Sequence, residues 1–246
     1  MQAMAKTVSL TQGEETECVE QKVEQKQEQT PVKKGFFSFY TKGEEIFNAV
    51  SHIVGGAMGL AFWIVLAVFA APDAAALLGV SLFGLGVVIL YTMSTLYHFL
   101  PNGRAKGVFR VFDHCTIYLL IAGTYSPYCL IALGGTLGFI MFAVQWACAI
   151  AGITMNAIAM NHKVVKGISM ALYLVEGWMA LALFPMLIKT MSFAAIALLL
   201  AGGIAYTVGI IFFALGKKVR YFHSVWHLFD LTGTALHFAS ILLMLL

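Results

Sequence analysis

Seven long apolar runs constrain this chain more than any other feature of its sequence. Each has about 20 residues or more, and a helix of that length crosses roughly 30 Å of hydrocarbon. Only 11% of the residues are charged, whereas soluble domains carry roughly 25%. The sequence therefore predicts an all-α, integral membrane bundle of seven transmembrane helices. We place the helices near residues 46–71, 76–99, 112–133, 137–159, 167–188, 193–215 and 223–245.

The first 43 residues differ from the rest of the chain. They are rich in Glu, Gln and Lys and contain too few large apolar residues to form a core. We expect residues 1–43 to be a disordered cytoplasmic tail and residues 44–246 to be the membrane domain. Aromatic residues beside lysines at the end of the tail predict an anchor at the membrane interface. These aromatic residues are Phe36, Phe37, Phe39 and Tyr40.

The basic residues predict the orientation of the bundle. Eleven lie on the side of the tail and of the turns after helices 2, 4 and 6, and only Lys189 lies on the other side. Since Lys and Arg are retained in the cytoplasm, the N-terminus should be cytoplasmic and the C-terminus outside. The net charge of +3 gives no indication of a nucleic-acid partner. The eleven are Lys33, Lys34, Lys42, Arg104, Lys106, Arg110, Lys163, Lys166, Lys217, Lys218 and Arg220.

The last helix concentrates polar side chains on one face. At about 100° per residue, positions 223, 227, 230, 234 and 237 fall within an arc of roughly 80°. His223 and His227 are four residues apart, so both rings can reach one metal ion. His98 ends helix 2 on the same side of the membrane. We therefore predict a zinc ion held by His98, His223 and His227.

Three protein ligands leave a fourth position for water, which is typical of catalytic rather than structural zinc. Imidazole also suits copper, iron and nickel, and zinc is the default for three histidines. Ser224 occupies the position where a soluble His-Glu-x-x-His helix carries its base, so we expect Asp113 at the start of helix 3 to serve as base. Ser94 is expected to orient water or donate to an oxyanion. Alternatively, these interfacial side chains only anchor helix ends.

Other polar residues are expected in supporting roles, around the metal or as structural contacts. His114 points about 100° away from Asp113, and His237 is about 15 Å along the helix from His227, so neither should bind the same ion. Glu176 and Asp230 are costly inside a membrane and should pair with His237 or line a substrate chamber. The supporting residues are Glu45, Asn48, His52, Tyr97, His114 and His237.

Several motifs together resemble the hemolysin III family of bacterial membrane proteins. That family is part of the wider progestin and adipoQ receptor group, which has alkaline ceramidases as more distant relatives. The resemblance implies a seven-helix bundle in the bacterial inner (cytoplasmic) membrane, with a zinc site near the cytoplasmic face. In the family pattern, the ligands match the three predicted histidines, with Asp113 and Ser94 beside the metal. The motifs are 44–52, 94–98, 112–127, Gly177-Trp178, His223-Ser-Val-Trp-His227 and His237.

Three functions are compatible with these features. The first is a zinc-dependent hydrolase acting on an amide or ester of a membrane lipid, with Asp113 as base. The second is a non-enzymatic receptor or membrane-homeostasis protein in which zinc is structural. The third is a lytic or conducting protein, which the family name and the buried carboxylates of Glu176 and Asp230 suggest.

Overall fold

Seven helical spans make up the membrane domain in the computed structural model, which describes residues 39–246. Each is long and apolar enough to cross a membrane, and no strand occurs among the described residues. The predicted all-α, seven-span fold is confirmed. Residues 1–38 of the predicted tail lie outside the described residues. The first to seventh spans are Lys42–Ala70, Ala74–Phe99, Arg104–Leu133, Gly135–Ala159, Lys163–Thr190, Phe193–Leu215 and Phe222–Leu245.

The first, third and fifth spans begin four to eight residues earlier than the apolar pattern predicts. The first begins at Lys42 because Thr41 and Glu44 form a reciprocal capping box. The third begins at Arg104 rather than near residue 112. Its first turn packs against the end of the second span, because the buried Lys106 ammonium donates to the carbonyl oxygen of Tyr97 at 2.7 Å. Asp113 therefore lies nine residues inside the third span, not at its opening.

The fifth span, predicted near residues 167–188, is interrupted between Gly177 and Ala180. It consists of helices Lys163–Gly177 and Ala180–Thr190. The third span supplies the reason. The Tyr125 hydroxyl donates to the Gly177 carbonyl oxygen at 2.8 Å and accepts from the Ala180 backbone N–H at 2.7 Å. One side chain thus satisfies backbone groups that the break leaves without helical partners.

The third span also changes its helical form near its end. It is α-helical from Arg104 to Pro127 and then forms a π-helix over Tyr128–Leu133. Its middle packs closely on the second span, where a Cβ added at Gly123 would lie 2.6 Å from the Leu82 carbonyl oxygen. Small residues at such points let helix backbones approach each other within a membrane. The first, second, third and seventh spans consequently bring their polar residues together at one end of the bundle.

Candidate metal centre

Three buried imidazoles converge between the second and seventh spans. The Nε2 atom of His223 lies 3.3 Å from that of His98 and 3.3 Å from that of His227. The ligand atoms of all three lie within 4.8 Å of one another. In a tetrahedral zinc site with Zn–N bonds of about 2.0–2.1 Å, ligand nitrogens are about 3.3–3.4 Å apart. The three predicted residues could therefore hold a metal ion.

The second nitrogen of His98 is bound to a carboxylate. His98 Nδ1 donates to Glu45 Oε2 at 2.7 Å, and the other carboxylate oxygen lies 3.0 Å from Lys106 Nζ. With its proton on Nδ1, the neutral ring presents a lone pair at Nε2. A carboxylate in this position also orients the ring. Glu45 thus contacts one of the three histidines, and the supporting role predicted for it remains a prediction.

The second nitrogen of His227 is bound to a hydroxyl on the first span. Ser51 Oγ donates its proton to the Asn48 carbonyl oxygen at 2.9 Å and can therefore accept from His227 Nδ1 at 3.1 Å. His227, like His98, then presents an Nε2 lone pair toward His223. A single proton on His223 Nε2 could satisfy only one of these lone pairs, whereas a cation would satisfy all three rings. The side chain of Asn48 accepts from Ser224 at 2.7 Å and fixes the same two spans.

Asp113 and Ser94 are buried beside the three histidines. Ser94 is one turn before His98, and its side chain interacts with the Asp113 carboxylate. Asp113 also lies close enough to His98 and His223 to interact with them electrostatically. The carboxylate and the hydroxyl are thus close to the candidate centre, and the catalytic roles predicted for them remain predictions.

Comparison with known proteins decides the family. The model of the family described as Haemolysin-III related matches residues 40–238. The chain belongs to this family. It is 36% identical over 205 residues to the Hemolysin-3 homolog of Bacillus subtilis (strain 168), an alignment that covers 82% of this chain and 95% of that protein.

Two further relatives extend the comparison. Hemolysin-3 of Bacillus cereus is 37% identical over 201 residues, which cover 81% of this chain and 90% of that protein. The human Monocyte to macrophage differentiation factor is 26% identical over 167 residues, which cover 65% of this chain and 67% of that protein. With its seven apolar spans, this member of the haemolysin III family is a multi-pass membrane protein.

Tyr40, where the haemolysin III match begins, forms one wall of the centre. Its ring stacks on His223 with centroids 4.5 Å apart and planes 11° apart. Burial, together with the nearby Tyr97 and Asp113, raises the pKa of Tyr40 well above its usual value. The predicted anchoring of Tyr40 at the membrane interface stays a prediction. The only signal in the sequence is an aromatic residue directly before the capping box, which does not indicate a site.

The remaining supporting residues lie at two depths in the bundle, one at the level of the three histidines and one farther inside. The His52 ring stacks on His227 at a centroid distance of 3.7 Å, and its Nε2 lies 3.6 Å from Asp230 Oδ2. The Tyr97 ring packs against His98 at 4.5 Å. His114 Nδ1 donates to the Arg110 carbonyl oxygen at 2.9 Å and lies 3.6 Å from Asp113 Oδ2, so the expectation that this ring points away from Asp113 is wrong.

His237 lies deeper and outside the metal group. Its ring stacks on Tyr206 at 5.6 Å. The predicted pairing of Glu176 or Asp230 with His237 is wrong, because Asp230 faces His52 instead. The Glu176 carboxylate is buried without a hydrogen-bond partner among the described residues.

An apolar cavity of about 110 Å³ lies deeper in the bundle than the three histidines. Its lining includes Asp230, one turn below His227, and Ile117, one turn below Asp113. Asp230 therefore lines a chamber, as one of the two sequence-based alternatives predicts, whereas Glu176 does not. The chamber offers room for part of an apolar chain directly beneath the polar cluster.

Proposed function

We propose that this haemolysin III protein is a zinc-dependent hydrolase that cleaves an amide or ester of a membrane lipid, at the cytoplasmic side of a bacterial inner membrane. The observation that carries the proposal is that His223 Nε2 lies 3.3 Å from the Nε2 atoms of both His98 and His227, with the buried Asp113 nearby. Three histidine ligands leave one coordination position open, which is the pattern of catalytic zinc sites.

The residues present suit zinc. His98, His223 and His227 would hold the ion, and the hydrogen-bond acceptors at Glu45 and Ser51 favour the tautomers that metal binding requires. Zinc in this position would polarise a carbonyl group and lower the pKa of water toward about 7.

The protein side chains would perform the proton transfers. Asp113 would accept a proton from the attacking water and return it to the leaving amine or alcohol. Ser94 would donate a hydrogen bond to the oxygen on which negative charge develops. The apolar cavity beneath would hold an acyl chain, so that its carbonyl carbon lies at the level of the histidines.

Metal content and lipid turnover of purified variants test the proposal. We expect His227→Ala to lose both zinc and turnover, because it removes one of three ligands. Asp113→Ala should retain zinc but lose about 10²–10⁴-fold in turnover, because it removes the base. His237→Ala is the matched control, a buried histidine of the same helix outside the metal group, and should retain zinc. Unchanged turnover in both His227→Ala and Asp113→Ala would refute the hydrolase.

A structural zinc site is the second candidate function. The observation in its favour is that Tyr40 covers His223, so the ion would brace the second and seventh spans beneath a protein wall. This alternative predicts that zinc removal lowers thermal stability while Asp113→Ala changes nothing measurable. Asp113→Ala therefore separates the two functions, because only the hydrolase needs its carboxylate.

A further inference from the structure

Two basic side chains meet at one aromatic ring beside the candidate metal centre. The Arg110 guanidinium lies 5.0 Å from the centroid of Phe39, and Lys217 Nζ lies 4.6 Å from the same centroid. The two charges are therefore within about 10 Å of each other, which is a Debye length at ordinary ionic strength. Like charges at this distance repel unless an anion lies between them.

No carboxylate among residues 39–246 forms a salt bridge with Arg110 or Lys217. The acidic residues at this end of the bundle have other partners. Glu45 lies against His98 and Lys106, and Asp113 lies 3.6 Å from His114. Arg110 nevertheless is only 6% exposed. Contact with an aromatic ring stabilises a cation by less than the cost of burying an unpaired charge.

The pKa of Lys217 is lowered by burial and, to a smaller extent, by the neighbouring positive charges. These charges are those of Arg110 and Lys166, and together with burial they lower the pKa to about 8. An anion bound between these groups would remove the repulsion and favour the charged ammonium.

The position and chemistry of the cluster define its ligand. Arg110 is one turn before Asp113 on the third span, and Lys217 lies in the turn before the seventh span, so both are near the end of the bundle. A planar guanidinium with an ammonium nearby suits the oxygens of a phosphate group. Basic clusters at the membrane surface attract anionic lipids. We propose that Arg110, Lys217 and Phe39 form a binding site for the phosphate of a lipid headgroup.

Thermal unfolding of the full chain in detergent micelles tests this site directly. Phosphatidylglycerol, compared with phosphatidylcholine at equal mole fraction, should raise the unfolding midpoint by about 5 °C when the site is nearly saturated. Arg110→Gln and Lys217→Gln should each lose most of this shift. Lys189→Gln, which removes an exposed charge at the opposite end of the bundle, is the matched control and should retain it.

Each outcome decides the question. A shift produced by inorganic phosphate in phosphatidylcholine micelles would support the anion site and identify free phosphate as its ligand. A shift with phosphatidylglycerol alone identifies the lipid. Equal shifts in the wild type and both variants, or no shift in the wild type, would overturn the site. Lys217 lies outside the spans, so Lys217→Gln remains informative if Arg110→Gln fails to fold. The binding site does not require hydrolysis, so its failure would not affect the test of the hydrolase.

Discussion

At the scale of single residues, two acceptors control the protonation of the histidine cluster. Glu45 accepts a hydrogen bond from the Nδ1–H group of His98, and Ser51 accepts one from that of His227. Both rings then direct their Nε2 lone pairs toward the Nε2 atom of His223. Because such outer contacts hold the ring orientation, the affinity for a metal would depend on residues that do not touch the metal.

Glu45 should therefore contribute measurably to metal affinity. We expect Glu45→Ala to weaken zinc binding by about 10–100-fold, because the His98 ring loses its acceptor. Competition with a chromogenic chelator measures the dissociation constant. Glu44→Ala is the control, because Glu44 accepts from Thr41 and from the Tyr221 backbone N–H and contacts none of the three histidines. Equal losses in the two variants would indicate a general effect on the start of the helix.

At the scale of secondary-structure elements, the break in the fifth span depends on a side chain of the third. We expect Tyr125→Phe to lower the free energy of unfolding by about 1–3 kcal/mol, because it leaves the Gly177 carbonyl and the Ala180 N–H without their partner in a buried position. Chemical denaturation in mixed micelles measures this change. Tyr118→Phe is the matched control, since its buried hydroxyl has no hydrogen-bond partner among the described residues. If both variants lose the same stability, the bridge is unimportant.

The segment before the first span covers the histidine cluster. Tyr40 stacks on His223, and Glu44 Oε1 accepts from the Tyr221 backbone N–H at 2.7 Å, which ties the starts of the first and seventh spans together. A soluble chelator must displace this segment to reach a bound ion from that end. We therefore expect the segment to slow the release of a bound ion.

Removing the Tyr40 ring should accelerate metal loss. We expect Tyr40→Ala to release zinc to excess chelator at least about tenfold faster than the wild type, and Tyr40→Phe, which keeps the stacked ring, to release it at the wild-type rate. Absorbance of the chelator complex over time gives the rates. Identical rates in all three proteins would show that metal leaves by another route.

At the scale of the whole molecule, the distribution of basic residues predicts that the histidine cluster lies on the cytoplasmic side. Single cysteines at the two ends of the fifth span, in a chain without its four native cysteines, test this orientation. A membrane-impermeant maleimide should label Lys189→Cys in intact cells and Lys163→Cys only after permeabilisation. Both positions are exposed, so accessibility within the protein does not bias the comparison. The reverse labelling pattern would show that the bundle has the opposite orientation in the membrane.

Much of the fold and the centre of the site can be predicted from sequence. The seven spans follow because transfer of a helix into hydrocarbon depends on its own residues, summed along about 20 positions. The histidine set follows because His223 and His227 share one helix face, and because the number of spans between them brings His98 to the same side. In both cases a local pattern is sufficient.

Only the tertiary structure decided how neighbouring spans modify one another. The break after Gly177 depends on Tyr125, 52 residues earlier. The place of Tyr40 over His223 and the contact of His52 with Asp230 join segments more than 170 residues apart. Each contact depends on the distance and angle between packed helices. Hydrophobic periodicity specifies which face of a helix is buried but not which side chain of a distant span meets it.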